Sequence, residues 1–155
     1  MNRRNPEAIL EAFREIRECL IIVEGKKDAK ALNTLDLRNI LSINGKPLIT
    51  IAEAVEKKRA KHKYSDIIIL TDFDREGRHI AARLARLLRA RKIHPNQRLR
   101  YRIMKFGFNR IEDIRMERIL GIEKRRGDDH VKISSNFNKI SDKGKHKSER
   151  CCGKA

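Results

Sequence analysis

The chain reads as an α/β protein whose mostly parallel central sheet is covered by helices on both faces. Three observations predict this. The apolar runs Leu20-Ile21-Ile22-Val23 and Ile67-Ile68-Ile69-Leu70 are short, unbroken and bounded by charged or turn residues. Such runs suit strands buried on both faces. Amphipathic segments stand between the runs, so strand and helix alternate. The length, 155 residues, suits one domain with a usable core.

Pro6 opens a helix over 6–18, with Ile9, Leu10, Phe13 and Ile16 on one side. A strand at 19–23 begins with Cys19, a small residue expected to be buried. Helix 26–35 follows Gly25. Asn39-Ile40-Leu41-Ser42-Ile43 reads as a second short strand, and Asn44-Gly45-Lys46-Pro47 as a turn. Helix 49–62 sets Ile51, Ala54 and Val55 on its apolar face. Strand 67–71 leads into an acidic turn, and helix 75–91 follows. A further strand is expected over 98–104. Asn109 is expected to cap a helix over 110–119, where Ile111, Ile114 and Ile119 can pack. Tyr64 and Tyr101 are expected to serve packing.

The organisation expected is an N-terminal helix at 1–17, the α/β domain at 18–120 and a basic, disordered tail at 121–155. The tail holds ten Lys or Arg and five Asp or Glu, a net of +5, with few apolar side chains. Such a composition cannot bury enough surface to offset the entropy of ordering it. The tail also offers a docking arm for a protein complex.

Lys and Arg number 38 against 21 Asp and Glu, a formal charge of +17. An excess of this size points to polyanions, nucleic acid first. The longest apolar runs are about five residues, far short of the roughly 20 that span a bilayer. No membrane association is expected. No signal peptide is visible, so the expected compartment is the cytoplasm. Three cysteines, Cys19, Cys151 and Cys152, form no disulfide framework. The five histidines are scattered and show no zinc spacing. Gly25-Lys26-Lys27 is not a nucleotide P-loop, because the Gly-x-x-x-x-Gly-Lys-Ser/Thr pattern is absent.

The chemistry concentrates at two strand ends. The first apolar run delivers Glu24-Gly25, and the third delivers Asp72-Phe73-Asp74-Arg75-Glu76-Gly77. Ligands of open α/β sheets sit at the carboxyl ends of the strands. A lone Asp-x-Asp in a loop is commonly just solvated. Directly after a buried strand, Asp72 and Asp74 point the same way and can share one cation or bridge two. Hard oxygen donors suit Mg²⁺, with Mn²⁺ as a substitute. Glu24 either favours a helix N-terminus through its dipole or faces the aspartates as ligand or general acid/base. The fitting reaction is metal-assisted attack at phosphorus. A phosphatase using Asp72 as nucleophile is a rival that leaves Glu24 idle.

The segments Ile21-Ile22-Val23-Glu24-Gly25-Lys26-Lys27-Asp28-Ala29 and Ile68-Ile69-Leu70-Thr71-Asp72-Phe73-Asp74-Arg75-Glu76-Gly77 resemble the two signature motifs of the TOPRIM domain. That domain occurs in topoisomerases, bacterial-type primases, nucleases and recombination proteins. The resemblance covers about 18–105 and is greatest to small stand-alone archaeal TOPRIM proteins. It implies a Rossmann-like fold, Glu24 as general acid/base, and Mg²⁺ held by Asp72 and Asp74 with help from Glu24. Asp28 matches an acidic position of nuclease- and primase-like members. Glu76 matches the third acid of the type IA topoisomerase pattern, yet Arg78 stands after Gly77 where that pattern has a second Glu. That departure, the length and the lack of a zinc module argue against topoisomerase and primase.

Helix 75–91 sets Arg75, Arg78, Arg83, Arg86 and Arg89 on one side and Ile80, Leu84, Leu87 and Leu88 on the other. The bland reading is a solvated charged face; the sharper one is a phosphate track leading to the acids. Arg75 stabilises phosphate at the site or neutralises Asp74 or Glu76. Lys26 and Lys27 stand beside Glu24 and suit either job. The expected function is Mg²⁺-dependent, nuclease-like phosphodiester chemistry on DNA or RNA. The alternative is a non-catalytic metal- and nucleic-acid-binding accessory subunit of a processing complex.

Overall fold

Leu20, Ile21, Ile22 and Val23 are almost wholly buried because they form β1 (Leu20–Val23), the middle strand of a three-stranded sheet. The computed structural model describes residues 5–121. The sheet order is β2 (Ile40–Ser42), β1, β3 (Ile67–Leu70), and both pairings are parallel. Leu20 lies opposite Ile67 and Val23 opposite Leu70. Parallel neighbours need crossovers, and α2 (Lys26–Asn33) and α3 (Leu48–Lys61) supply them. The return into α3 turns at Asn44 and Gly45, both at positive φ, 48° and 70°. Asn and Gly are the residues that adopt this conformation at least cost.

Side chains alternate along the strands, and two cores result. Ile21, Val23, Ile68 and Leu70 meet Phe13 of α1 (Pro6–Glu15), Leu32 of α2, and Leu99 and Ile103 of α5 (Gln97–Met104). Leu20, Ile22, Ile67 and Ile69 meet Ile51 and Val55 of α3, and Leu84 and Leu88 of α4 (Arg75–Ala90). The sheet is thus covered on both faces. α1 starts with Pro6 at its first position and Asn5 as cap, Oδ1 accepting from the Glu7 N–H at 3.0 Å. Cys19 is buried ahead of β1, and burial pushes its thiol pKa up.

Residues 98–104 do not form the expected strand. They belong to helix α5, capped by Asn96, whose Oδ1 accepts from the Leu99 N–H at 3.1 Å. Arg98-Leu99-Arg100-Tyr101-Arg102-Ile103 alternates like a strand, but Leu99 and Ile103 also stand four apart, and α5 buries both. The helix does the work a fourth strand would do. The Asn96 N–H donates to Ile67 O at 2.7 Å, and Arg100 donates to Ile69 O at 2.8 Å and Thr71 O at 2.9 Å. Alternate carbonyls on the outer edge of β3 are therefore satisfied without a ladder. α5 is also tied to α1 by ion pairs from Arg102 to Glu11 and Glu15.

Nor is 110–119 one helix. Ile111–Asp113 makes a single 3₁₀ turn, Ile114 is extended, and Met116–Ile119 forms the short α6. Asn109 is no cap; its carbonyl accepts from the Phe73 N–H at 2.9 Å. Ile111, Ile114 and Ile119 are nonetheless buried in the first core. Tyr64 packs against the second core, but Tyr101 is 53% exposed, against expectation. The basic tail, with Cys151 and Cys152, lies beyond Gly121 and outside the described residues.

Candidate functional site

β1 hands the chain to α2 on one face of the sheet, and β3 hands it to α4 on the other. Where neighbouring parallel strands diverge in this way, a crevice opens at their carboxyl ends. Because Val23 pairs with Leu70, Glu24 leaves β1 level with Thr71, one residue short of Asp72. Two helix N-termini start at the same crevice.

Glu24 is half-buried, and its Oε2 is fully buried without a hydrogen-bond partner. Burial pushes its pKa up, and the charges of Asp72, Asp28, Asp74 and Glu76 push it further. Asp28 is 7% exposed, and its Oδ2 accepts from the Gly25 N–H at 2.8 Å. This bond ties the first turn of α2 back to the Glu24-Gly25 corner, the return half of a capping box. Burial pushes the Asp28 pKa up as well; the Gly25 and Glu112 N–H groups oppose the rise, and the charges of Asp72 and Glu112 add to it.

The second acidic segment is a tight turn. Asp74 caps α4, its Oδ1 accepting from the Gly77 N–H at 2.8 Å. The turn folds so closely that a Cβ at Gly77 would lie 2.2 Å from Asp72 O. Glycine is required there for close approach. Thr71, fully buried, donates from Oγ1 to Gly77 O at 2.6 Å. Asp72 Oδ1 accepts from the Ile111 N–H at 2.8 Å. Each aspartate thus spends one oxygen on the backbone, and neither Oδ2 has a hydrogen-bond partner among the described residues.

Arg100 supports the turn. It donates to Asp72 O at 3.1 Å and lies 4.9 Å from the centroid of the Phe73 ring. Burial pushes its pKa down to about 10, so it stays cationic at neutral pH; the Asp72 charge works against that fall.

The structure brings Asp28, Asp72, Asp74 and Glu76 within electrostatic reach of Glu24, and Asp72 within reach of Asp28. Among the described residues, however, no group of three His, Cys, Asp or Glu side chains is drawn into metal-holding geometry. Unscreened carboxylates repel one another. In chemistry the donor set suits a hard cation: unpaired carboxylate oxygens on Glu24, Asp72 and Asp74.

Arg75 and Glu76 are exposed on the first turn of α4 and border a surface depression with His79. Lys26 and Lys27 are exposed at the start of α2. Arg75 and both lysines lack ion pairs among the described residues. Arg78 donates from Nε to Asp74 O at 3.1 Å. Arg83, Arg86 and Arg89 are exposed, also without ion pairs among the described residues.

Sequence reasoning missed Arg100, Thr71 and the Ile111 amide. Arg100 and Thr71 bond to backbone carbonyls, and the Ile111 donor is itself a backbone N–H; backbone groups leave no residue-type signature.

A family model for the Toprim domain matches residues 19–106. This chain belongs to the Toprim family. It is 36% identical over 113 residues to a UPF0292 protein of Methanocaldococcus jannaschii, covering 70% of this chain and 85% of that one. It is 34% identical over 117 residues to a UPF0292 protein of Thermococcus onnurineus, covering 73% and 83%. These relatives are small archaeal proteins, as the motifs suggested. A solved structure of a protein from Aquifex aeolicus matches with a TM-score of 0.60 and 30% identity, over 72% of this chain and 100% of that one. Toprim membership points in general to metal-dependent work connected with nucleic acid, and Toprim domains generally bind Mg²⁺. Among the described residues no helix is long and apolar enough to cross a membrane.

Proposed function

We propose that this Toprim protein carries out metal-dependent phosphodiester chemistry on DNA or RNA in the crevice between β1 and β3. The observation that carries this reading is the orphan Oε2 of Glu24, buried within electrostatic reach of four other carboxylates. An ionised oxygen in such a place needs a cation or a proton. Glu24, Asp72 and Asp74 would hold Mg²⁺, or Mn²⁺, as one ion or two; Asp28 and Glu76 add negative charge around them. Such a cation polarises phosphoryl oxygen and steadies the leaving oxygen.

Glu24 carries the proton. Its raised pKa suits a group that gives a proton to a leaving oxygen or takes one from the attacking water. Arg75, exposed one residue after the cap of α4, meets the phosphate with Lys26 and Lys27. Arg78, Arg83, Arg86 and Arg89 extend that contact along α4.

A second reading has its own support. Asp72 Oδ1 and Asp74 Oδ1 both serve the backbone, as they would in a metal-binding accessory module without turnover. The basic tail would then dock the protein into a larger complex. Labelled single- and double-stranded DNA and RNA, incubated with Mg²⁺, Mn²⁺ or EDTA, decide between the two. Metal-dependent cleavage that Glu24→Gln lowers about 10²–10⁴-fold supports the enzyme. Binding without cleavage under every condition selects the module.

A further inference from the structure

We infer that the groove between α4 and α5 is a seat for an unpaired nucleobase, so that the protein takes single-stranded nucleic acid in preference to duplex. The inference rests on the nucleic-acid reading above and adds the form of the substrate.

The groove is a cavity of about 470 Å³, within the usual range of small-ligand sites. Its floor is apolar: Ala81, Ala82 and Ala85 from α4, and Met104 from α5. Three alanines on one helix keep that floor low. Tyr101 borders the cavity and is 53% exposed, although it is a large ring on a helix whose other face is in the core. Lys105 Nζ lies over one face of the ring, 4.7 Å from its centroid, so a base stacks on the opposite face. An exposed aromatic ring beside cations is what stacking sites for unpaired bases present.

Two features tie the groove to the acidic crevice. Arg78 lines the cavity, and its Nε also holds Asp74 O. Arg100 lines the cavity and holds Asp72 O. The groove therefore begins at the backbone of the acidic turn. Arg98 also borders it, exposed and without an ion pair among the described residues. A base on Tyr101 with its phosphate between Arg78 and Arg98 leads the adjoining backbone toward Asp72 and Asp74. A base held in a stacked, paired duplex cannot enter such a slot, which is why the geometry favours a single strand.

The test measures binding alone, in EDTA, with fluorescein-labelled oligothymidylate, oligouridylate and a duplex of equal length. The chain has two tyrosines and no tryptophan. In a Tyr64→Phe background Tyr101 is the sole emitter, and its fluorescence should be quenched by either single strand. Single strands should bind more tightly than duplex. Tyr101→Ala should weaken single-strand binding on the order of tenfold and leave duplex binding unchanged, while Tyr101→Phe should retain affinity. Ala82→Phe, which fills the groove from an exposed helix position, should reproduce the loss. Equal binding of both forms, with Tyr101→Ala silent, overturns the groove and leaves the nucleic-acid reading intact. A wild-type protein that binds no nucleic acid overturns both. A dimer that Tyr101→Ala dissociates assigns the groove to a second copy and overturns the inference.

Discussion

The guanidinium of Arg100 donates to the backbone carbonyl of Asp72 at 3.1 Å. One side chain from α5 thereby holds the acidic turn and, through Ile69 O and Thr71 O, the open edge of β3. Leaving a buried acceptor unsatisfied costs about 1–3 kcal/mol, and Arg100→Ala exposes three carbonyls to that loss. We expect about 3 kcal/mol of destabilisation by urea denaturation. Arg100→Lys should recover less than half, because an ammonium lacks the planar fork. A loss below about 1 kcal/mol would mean that water replaces the guanidinium.

Gly77 tests the same turn from the other side. A methyl group there meets Asp72 O at 2.2 Å, and that atom is backbone, so the turn itself must open. Gly77→Ala should cost about 2 kcal/mol or more, in line with strained and overpacked sites. It should also weaken Mg²⁺ binding by titration calorimetry, since Asp72 and Asp74 flank the displaced segment. Gly45→Ala is the control: its Cβ meets nothing within 4 Å, and only its φ of 70° is unfavourable, worth about 1 kcal/mol. Equal costs at the two sites would remove close packing as the reason for Gly77.

The crevice was legible in the sequence because its strands are buried on both faces. Leu20–Val23 and Ile67–Leu70 are apolar throughout; Glu24 follows the first directly, and Asp72 follows the second after Thr71. The edge of the sheet was not legible. Residues 98–103 alternate with a period of two, yet Leu99 and Ile103 equally mark one side of a helix. What decides is the Asn96 cap and the use of Arg100 on β3 carbonyls. Likewise 110–119 carries enough isoleucine for a helix, but the backbone is extended at Ile114 and Arg115 and divides it. Tyr101 reads as a packing residue because a strand over 98–104 would set it on the same side as Leu99 and Ile103; the helix turns it away from them.

The buried acids make stability depend on pH and on metal. In the folded protein burial raises both Glu24 and Asp28 from their values in the ordinary carboxylate range. Below that range, about pH 4, both are protonated whether folded or not. As pH rises through it, the unfolded chain releases these protons first, so stability falls until the folded groups ionise too. Metal-free Glu24→Gln should therefore melt above wild type at pH 7, with the gap closing toward pH 4. Added Mg²⁺ should raise the wild-type Tm at pH 7 far more than at pH 4, because ligands must be ionised to bind. It should raise the variant less. Scanning melts with and without Mg²⁺ check each point. A metal-free Glu24→Gln that melts lower than wild type at pH 7 would show that the Glu24 carboxylate is stabilised by something other than a cation.

The arginines of α4 should separate into two kinds. Arg78 is bonded through Nε to the carbonyl of Asp74, so its position depends on the acidic turn and the turn's on it. Arg86 and Arg89 stand about 12 and 16 Å farther along the helix at 1.5 Å per residue, exposed and without ion pairs among the described residues. They can attract phosphate but cannot orient it at Asp72. Each lost phosphate contact lowers the slope of log K against log salt by about 0.9 on duplex and about 0.7 on single strands. Arg86→Ala with Arg89→Ala should therefore lower the slope by up to about 1.4 on a single strand, while the single-turnover rate at saturating substrate stays at the wild-type value. Arg78→Ala should change the slope by at most one contact and lower that rate as well. If the double variant leaves the slope unchanged, the arginine face is only solvated. If Arg78→Ala lowers affinity alone, its bond to Asp74 positions nothing in the reaction.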